Sequence, residues 1–268
     1  MHLMAKWVSM SLPHFYLEDQ VLSQEIIQSF ELRLSSDDLK HARALRLKSG
    51  EHIAVLDASN DYFECCVDSF DKQSLCVHIA QHLEVPRRPT VVLAQGLAKG
   101  GKMDTIIRHA TELGVSAFIP LICERSIVKL DQKKIANRMQ RWNALAKSAA
   151  MQSGQAAIPE ICEPQTINGL MEQVQGATAV LVCWEEAAGT QTLSSALESA
   201  CTSLKQPYAD ARVVVVVGPE GGLSEHEVQT LQQLHPQCFP ITLGPTILRT
   251  ETAGIVAPAL VLYELERG

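Results

Sequence analysis

The sequence predicts an α/β protein, with one domain built on a parallel sheet and a smaller β domain before it. Three observations carry this. Residues 213–217 are five consecutive valines, which describe a strand buried on both faces, as in a parallel sheet covered by helices on each side. From Thr90 onward, short apolar runs alternate with amphipathic stretches of helical period, the pattern of βαβ units. Residues 13–84 instead carry short runs rich in β-branched and aromatic residues, separated by turn signals, a spacing that suggests a barrel.

In the first domain, residues 37–47 have helical spacing, with Leu39, Ala42 and Leu45 on one face. Residues 51–57 read as a strand and 58–61 as a turn. Residues 62–67 and 75–80 follow as further strands. Val85-Pro86-Arg87-Arg88-Pro89 is a linker, because two prolines stiffen it and stop either neighbour from continuing. The domains are therefore 1–84 and 90–268.

In the second domain, residues 91–94 form a strand. A helix over 102–113 turns Ile106, Ile107, Ala110 and Leu113 inward and stops at Gly114. Residues 117–122 form the next strand. A long helix over 133–152 has Ile135, Met139, Trp142 and Ala146 on its apolar face and Lys134, Arg138 and Arg141 on another. Residues 179–184 are a strand. The valine strand runs into Gly218-Pro219-Glu220-Gly221-Gly222, a turn where glycine lets a ligand approach the main chain closely. Ser224 caps the helix that follows, and Glu227 three residues on completes a capping box. Residues 241–243 are a short strand, Gly244-Pro245 a turn, and Thr250 or Thr252 caps the last helix. That helix, 253–266, is expected to bury Val256, Leu260 and Tyr263, with Pro258 marking a bend. Two such loops at the ends of neighbouring parallel strands are where open α/β sheets bind ligands.

Bulk properties narrow the class. The 268 residues are 46% hydrophobic and 20% charged, ordinary for a folded soluble protein. The eight cysteines form no CxxC pair and no zinc-ligand spacing, which suits free thiols in a reducing cytoplasm. The N-terminus lacks the uninterrupted apolar core of a signal peptide, and no run is long enough to span a membrane. The net charge of −7 argues against indiscriminate nucleic-acid binding. The charge is segregated, however. Lys40, Arg43, Arg46 and Lys48 cluster, as do Lys129, Lys133, Lys134, Arg138, Arg141 and Lys147, which suits a specific RNA binder. His41, Arg43 and Arg46 read either as a solvated helix face or as RNA-phosphate contacts.

Residues 96–103, Gly-Leu-Ala-Lys-Gly-Gly-Lys-Met, nearly fit the phosphate-binding pattern GxxxxGK[ST], after a strand and before a helix. Met103 stands where a Mg²⁺-binding hydroxyl is needed, and the valine strand ends in Gly218 rather than an aspartate, so phosphoryl transfer is disfavoured. The alternative is a basic loop, with Lys99 and Lys102 touching RNA phosphate.

Gly-Pro-Glu-Gly-Gly-Leu-Ser-Glu-His-Glu at 218–227, followed by Leu-Gly-Pro-Thr-Ile-Leu-Arg-Thr-Glu-Thr-Ala at 243–253, resembles the signature of the RsmE-type (ribosomal small subunit methyltransferase E) RNA methyltransferases of the SPOUT superfamily. Pro13 to Tyr16, the segment 41–50, Glu112-Leu113-Gly114-Val115, Glu124-Arg125-Ser126 and Gln152-Ser153-Gly154 resemble further motifs of the family in the same order. The resemblance implies an N-terminal PUA-like RNA-binding barrel and a C-terminal SPOUT domain with a trefoil knot, a feature that base rates alone would argue against. It implies a homodimer, S-adenosylmethionine as cofactor, and methylation of N3 of one uridine in 16S rRNA of the small ribosomal subunit.

On that resemblance, Cys183 and Trp184, then Gly218, Pro219, Glu220, Gly221 and Gly222, then Leu243, Gly244, Pro245 and Leu248 would hold the cofactor. Arg249 would stabilise charge developing on the base, or bind phosphate. Glu251 would serve as proton acceptor or positioning group, or only favour the helix N-terminus. His14, His41, Arg43, Arg46, Arg87, Arg88, Lys99, Lys102 and Arg125 would face RNA. The chain departs from the family where His14, Gln155 and Thr246 replace arginines. A relative acting on a different RNA, and a protein that only binds RNA, are the competing readings.

Overall fold

The structure is a computed structural model that describes residues 12–25, 28–71, 73–85, 87–128, 132–184 and 191–267. Pro86, Lys129 and the N-terminal residues 1–11 lie outside these. The chain divides into two compact units, Met1–Pro86 with Ala150–Ala157, and Arg87–Ala149 with Ile158–Gly268.

The first unit holds β1 (His14–Tyr16), β2 (Phe30–Glu31), α1 (Ser36–Leu45), β3 (His52–Leu56), β4 (Tyr62–Phe70) and β5 (Leu75–Leu83). They form a mixed sheet in the order β1-β3-β4-β5-β2, with β1 parallel to β3 and the other pairs antiparallel. Register shifts at Glu64/Cys65 and Val67/Ser69 interrupt the β4–β5 ladder, the kind of irregularity that bends and twists a strand. Ser35 caps α1 by accepting from the Asp38 N–H. The helix ends early because Arg46 adopts a left-handed φ of 56°. That turn leaves Leu45 exposed, contrary to expectation, and gives its inward role to buried Leu47. The Tyr16 hydroxyl donates to the Gln155 carbonyl (2.6 Å), which anchors residues 150–157 to this unit.

The second unit contains β6 (Thr90–Gly96), α2 (Lys102–Leu113), β7 (Ala117–Ile122), α3 (Gln132–Ser153), β8 (Glu160–Ile161), β9 (Gln165–Thr166), α4 (Met171–Gln175), β10 (Ala179–Cys183), α5 (Leu193–Leu204), β11 (Arg212–Val217), α6 (Glu225–Leu234), β12 (Cys238–Ile241) and α7 (Thr250–Arg267). All pairings in its sheet are parallel, in the order β12-β10-β11-β6-β7-β8 with β9 also on β7. The valines of β11 divide between two cores. Val213, Val215 and Val217 pack on one face, where α2, α3, α5 and α7 contribute side chains; Val214 and Val216 pack on the other, with α4 and α6. A valine buried this way contributes about 1.5–3 kcal/mol relative to exposure, which is why so uniform a run stays central in the sheet.

Helix α2 has the predicted bounds and stops at Gly114 with φ 102°. Leu113, expected inward, is instead exposed at its end. The inward face of α7 also differs from expectation. Ala253, Gly254, Ala257, Pro258, Val261, Leu262 and Leu265 are buried, while Leu260 and Tyr263 are exposed and Val256 is half-buried. Small residues face the sheet because α7 packs close: a Cβ at Gly254 would collide with the Gln95 amide oxygen of β6 and lie 3.2 Å from a methyl of Ile106 on α2. Pro258 sits within the helix on this buried face.

Candidate active site

The site forms where β10, β11 and β12 end side by side. Binding at the carboxyl ends of parallel strands is the rule for such sheets, because loops there diverge to leave a crevice. The loop after β11 begins at Gly218. A Cβ at Gly218 would sit 2.8 Å from the Gly222 carbonyl carbon, so only glycine lets this loop fold back on itself. A Cβ at Gly96 would meet the Pro219 nitrogen at 2.3 Å, so β6 and the loop touch backbone to backbone. The loop ends in the capping box anticipated from the sequence. Ser224 Oγ accepts from the Glu227 N–H (3.2 Å), and a Glu227 carboxylate oxygen accepts from the Ser224 N–H (2.9 Å). The other Glu227 oxygen accepts from the Glu124 N–H, fixing the loop after β7 to α6.

Two polar residues lock the floor. Thr250 or Thr252 was expected to cap α7, but both lie within the helix, and the Thr250 hydroxyl donates to the Gly218 carbonyl (2.6 Å) and accepts from Gln95 Nε2 (2.9 Å). Gln95 is fully buried at the end of β6, and its Nε2 also reaches the Gly96 carbonyl. Sequence reasoning missed both roles. The available signal was a glutamine in the otherwise apolar run of β6.

These loops enclose a cavity of about 480 Å³, within the range usual for small-molecule sites. Cys183, Trp184, Gly218, Pro219, Glu220, Gly222, Leu243, Gly244, Pro245, Leu248 and Arg249 line it, and so does Lys102. Of the residues proposed for a cofactor, Gly221 alone does not line it; its α-carbon faces Arg125, whose guanidinium donates to the Gly221 carbonyl (3.2 Å). The lining mixes apolar side chains with main-chain groups. The buried Trp184 Nε1 at its edge has no hydrogen-bond partner among the described residues. Such a donor set fits a cofactor with a flat heteroaromatic ring and polar ends.

The charged residues are arranged differently from expectation. Arg249 is exposed at the cavity. Glu251 does not line it, because its carboxylate is held by Lys102 Nζ at 3.1 Å. The same ammonium lies 3.1 Å from a Glu220 oxygen, which also accepts from the Lys99 N–H at 3.0 Å. Glu251 titrates below the usual glutamate range, because its own backbone N–H and then the Lys102 ammonium stabilise the anion. Burial pushes Glu220 up but is outweighed by the Lys99 N–H, its own N–H and Lys102. Lys102 is raised by Glu251 and Glu220 in turn.

These contacts bear on both readings of residues 96–103. Glu220 takes up the Lys99 N–H and the Lys102 ammonium, the groups that a phosphate-binding loop would offer to a nucleotide. The Lys102 ammonium faces the carboxylates of Glu220 and Glu251, with its side chain 32% exposed. Lys99 keeps an exposed side chain.

Among the other RNA candidates, His14 is 1% exposed, with its ring nitrogens against the Leu12 carbonyl and the Tyr62 hydroxyl, so its ring is not presented to a ligand. His41 is half-buried, edge-on to Phe15. Arg43 and Arg46 are exposed in the first unit, and Arg88 and Arg125 in the second. Arg87 is exposed and paired with Asp210.

Residues 86–262 match the family described as RNA methyltransferase domain. The chain is 34% identical over 254 residues to the ribosomal RNA small subunit methyltransferase E of Bacillus subtilis, covering 92% of this chain and 95% of that protein. The chain belongs to the ribosomal RNA small subunit methyltransferase E family. Among solved structures, the methyltransferase of this family from Neisseria gonorrhoeae, bound to S-adenosyl methionine, superposes with a TM-score of 0.73 at 26% identity, covering 93% of this chain and 96% of that one. A methyltransferase from Legionella pneumophila, in complex with the bound cofactor SAM, gives 0.71 at 29% identity over 93% and 96%. Membership in this family accounts for the two C-terminal motifs together, since both fall on loops that wall the one cavity.

Proposed function

We propose that this chain transfers a methyl group from S-adenosylmethionine to N3 of a specific uridine in 16S rRNA of the small ribosomal subunit. The observation that carries this reading is the cavity at the ends of β10, β11 and β12, walled by the two motif loops. The Neisseria gonorrhoeae member of the family and the similar Legionella pneumophila methyltransferase are both bound to S-adenosylmethionine. The cofactor would supply the activated methyl group. The chain's part is to bind, orient and neutralise charge.

Leu243, Leu248 and the main chain at 218–222 would hold the cofactor. Uridine N3 must lose a proton, and negative charge then spreads to the ring oxygens. Arg249, exposed at the cavity, is placed to stabilise that charge. Glu251, turned toward Lys102, acts on the site by shaping the start of α7 rather than by touching the base.

The finer architecture belongs to this proposal. The first unit would be a PUA-like barrel that binds RNA, and the second a SPOUT domain with a trefoil knot. The protein would act as a cytoplasmic homodimer. Support for the dimer comes from apolar side chains left exposed on and before α7: Ile247 at 81%, Tyr263 at 58% and Leu260 at 40%. No described helix is long and apolar enough to cross a membrane.

The test is calorimetric titration with S-adenosylmethionine and with Mg-ATP, followed by methyl transfer to small subunits and to naked 16S rRNA, with the modified nucleotide mapped by mass spectrometry. Binding of S-adenosylmethionine alone and a methyl at uridine N3 are expected. A protein that binds neither cofactor nor RNA, or methylates elsewhere, would overturn the assignment.

A further inference from the structure

The cluster at the N-terminus of α2 goes beyond that reading. Lys102 is the first residue of α2, Glu220 lies in the loop after β11, and Glu251 lies in the first turn of α7. Three segments remote in sequence thus meet at one ammonium, 3.1 Å from each carboxylate. The three side chains are about a quarter to a third exposed, so water only partly screens them. The Lys99 N–H adds a further bond to Glu220. Lys102 and Glu220 line the cavity, as do Thr250 and Ala253 of α7, so the lysine ties two parts of the cavity wall together through Glu220 and Glu251.

We propose that Lys102 is a positioning residue: an ionic clasp that holds the loop after β11 against the start of α7 and so sets the shape of the cofactor cavity. The role of the clasp in catalysis rests on the methyltransferase reading; its existence does not. Loss of the lysine, rather than of either carboxylate, is the costly change. One partner removed leaves the lysine with a single counter-charge, while the lysine removed leaves two like charges facing across the gap it filled. The charged groups around Glu251 are Lys102 on α2, Glu220 across the lysine, and Arg249 in the preceding loop.

The test uses the intact protein without cofactor or RNA. Carbon-13 NMR of the glutamate carboxyls, across pH, reads the titration midpoints of Glu220 and Glu251 in the wild type, Lys102→Met and Lys102→Arg. Both midpoints are expected to rise in Lys102→Met and to fall back in Lys102→Arg; midpoints that do not move would overturn the clasp. Glu251→Gln gives an independent readout should Lys102→Met not fold. With the lysine then serving one carboxylate, the Glu220 midpoint is expected to fall, and an unchanged Glu220 overturns the proposal.

In a second arm, the dissociation constant for S-adenosylmethionine is expected to rise about five- to tenfold in Lys102→Met, with affinity for 16S rRNA unchanged. Loss of RNA affinity at unchanged cofactor affinity would make Lys102 a phosphate contact and overturn the clasp. A wild-type protein that ignores S-adenosylmethionine would sink the methyltransferase reading while the carboxyl titrations still decided the clasp.

Discussion

The Thr250 hydroxyl lies 2.6 Å from the Gly218 carbonyl oxygen, joining the first residue of α7 to the first residue of the loop after β11. Gln95 reaches the same hydroxyl from β6, so three chain segments converge on one buried oxygen. Thr250→Val keeps the shape and removes the bond. It takes the shorter of two donors from the Gly218 carbonyl and one partner from Gln95 Nε2, which keeps the Gly96 and Gly218 carbonyls at 3.2 and 3.4 Å, so the loss is about 1 kcal/mol. Urea unfolding is expected to show that loss, and Thr250→Ser is expected to restore most of it. Equal stability of wild type and Thr250→Val would mean the bond is not formed.

Gly96 and Gly176 separate close packing from mere presence in a turn. A Cβ at Gly96 would stand 2.3 Å from the Pro219 nitrogen and 2.7 Å from the Gly218 carbonyl carbon, both backbone atoms that cannot rotate aside. Gly96→Ala is expected to lower stability by about 1–3 kcal/mol or more, and to weaken cofactor binding through the displaced loop. Gly176 has φ −97° and nothing within 4 Å of its added Cβ, so Gly176→Ala should stay within about 0.5 kcal/mol of wild type. Paired thermal melts decide the comparison.

The same contrast explains what the sequence made legible. The valine run, the glycine turn and the Ser224–Glu227 box depend on neighbours within a few residues, and local physics sets them. The inward face of α7 does not. That helix carries apolar residues nearly all round, so its period points nowhere, and the choice falls to the close approach of Gly254 and Ala257 to the core. Lys102 was legible as a cation but not as a bound one, because its two carboxylates come from segments far along the chain. Gln95 and Thr250 were hidden for the same reason.

Arg249 is the exposed cation at the cavity, and it bears the electrostatic part of the proposed reaction. Removing one well-placed donor to a developing anion costs about 10²–10³ in kcat. Arg249→Ala is expected to lose that much in single-turnover methyl transfer, and Arg249→Lys to recover part of it. A kcat within twofold of wild type in Arg249→Ala would remove Arg249 from the chemistry.

Leu260 and Tyr263 point away from the core of α7, and the Arg267 guanidinium lies 5.4 Å from the Tyr263 ring centroid. Exposed positions tolerate substitution within about 0.5 kcal/mol, so Leu260→Asp should fold as well as the wild type. If this face is shared between two copies, an aspartate there desolvates a charge in the interface. Light scattering is then expected to show a dimeric wild type and a monomeric Leu260→Asp. A monomeric wild type, or a variant that stays dimeric, would remove this face from the assembly.

His14 makes the first unit sensitive to acid. Burial lowers its pKa below the ordinary 6.5, opposed only in part by the bond to the Leu12 carbonyl. Above pH 6.5 the ring is neutral in both the folded and the unfolded chain, and it contributes no pH dependence. As pH falls below 6.5 the unfolded chain takes up the proton first. The folded state loses ground, by up to about 1.4 kcal/mol per pH unit, until the folded pKa is reached. Unfolding by urea between pH 7.5 and 5 should therefore show a steeper fall in the wild type than in His14→Gln. His41 is lowered in the same direction, again mainly by burial, so the difference between the two proteins, rather than either curve, isolates His14. Parallel curves would mean that the His14 ring titrates alike in the folded and the unfolded chain, so that burial does not hold its pKa down.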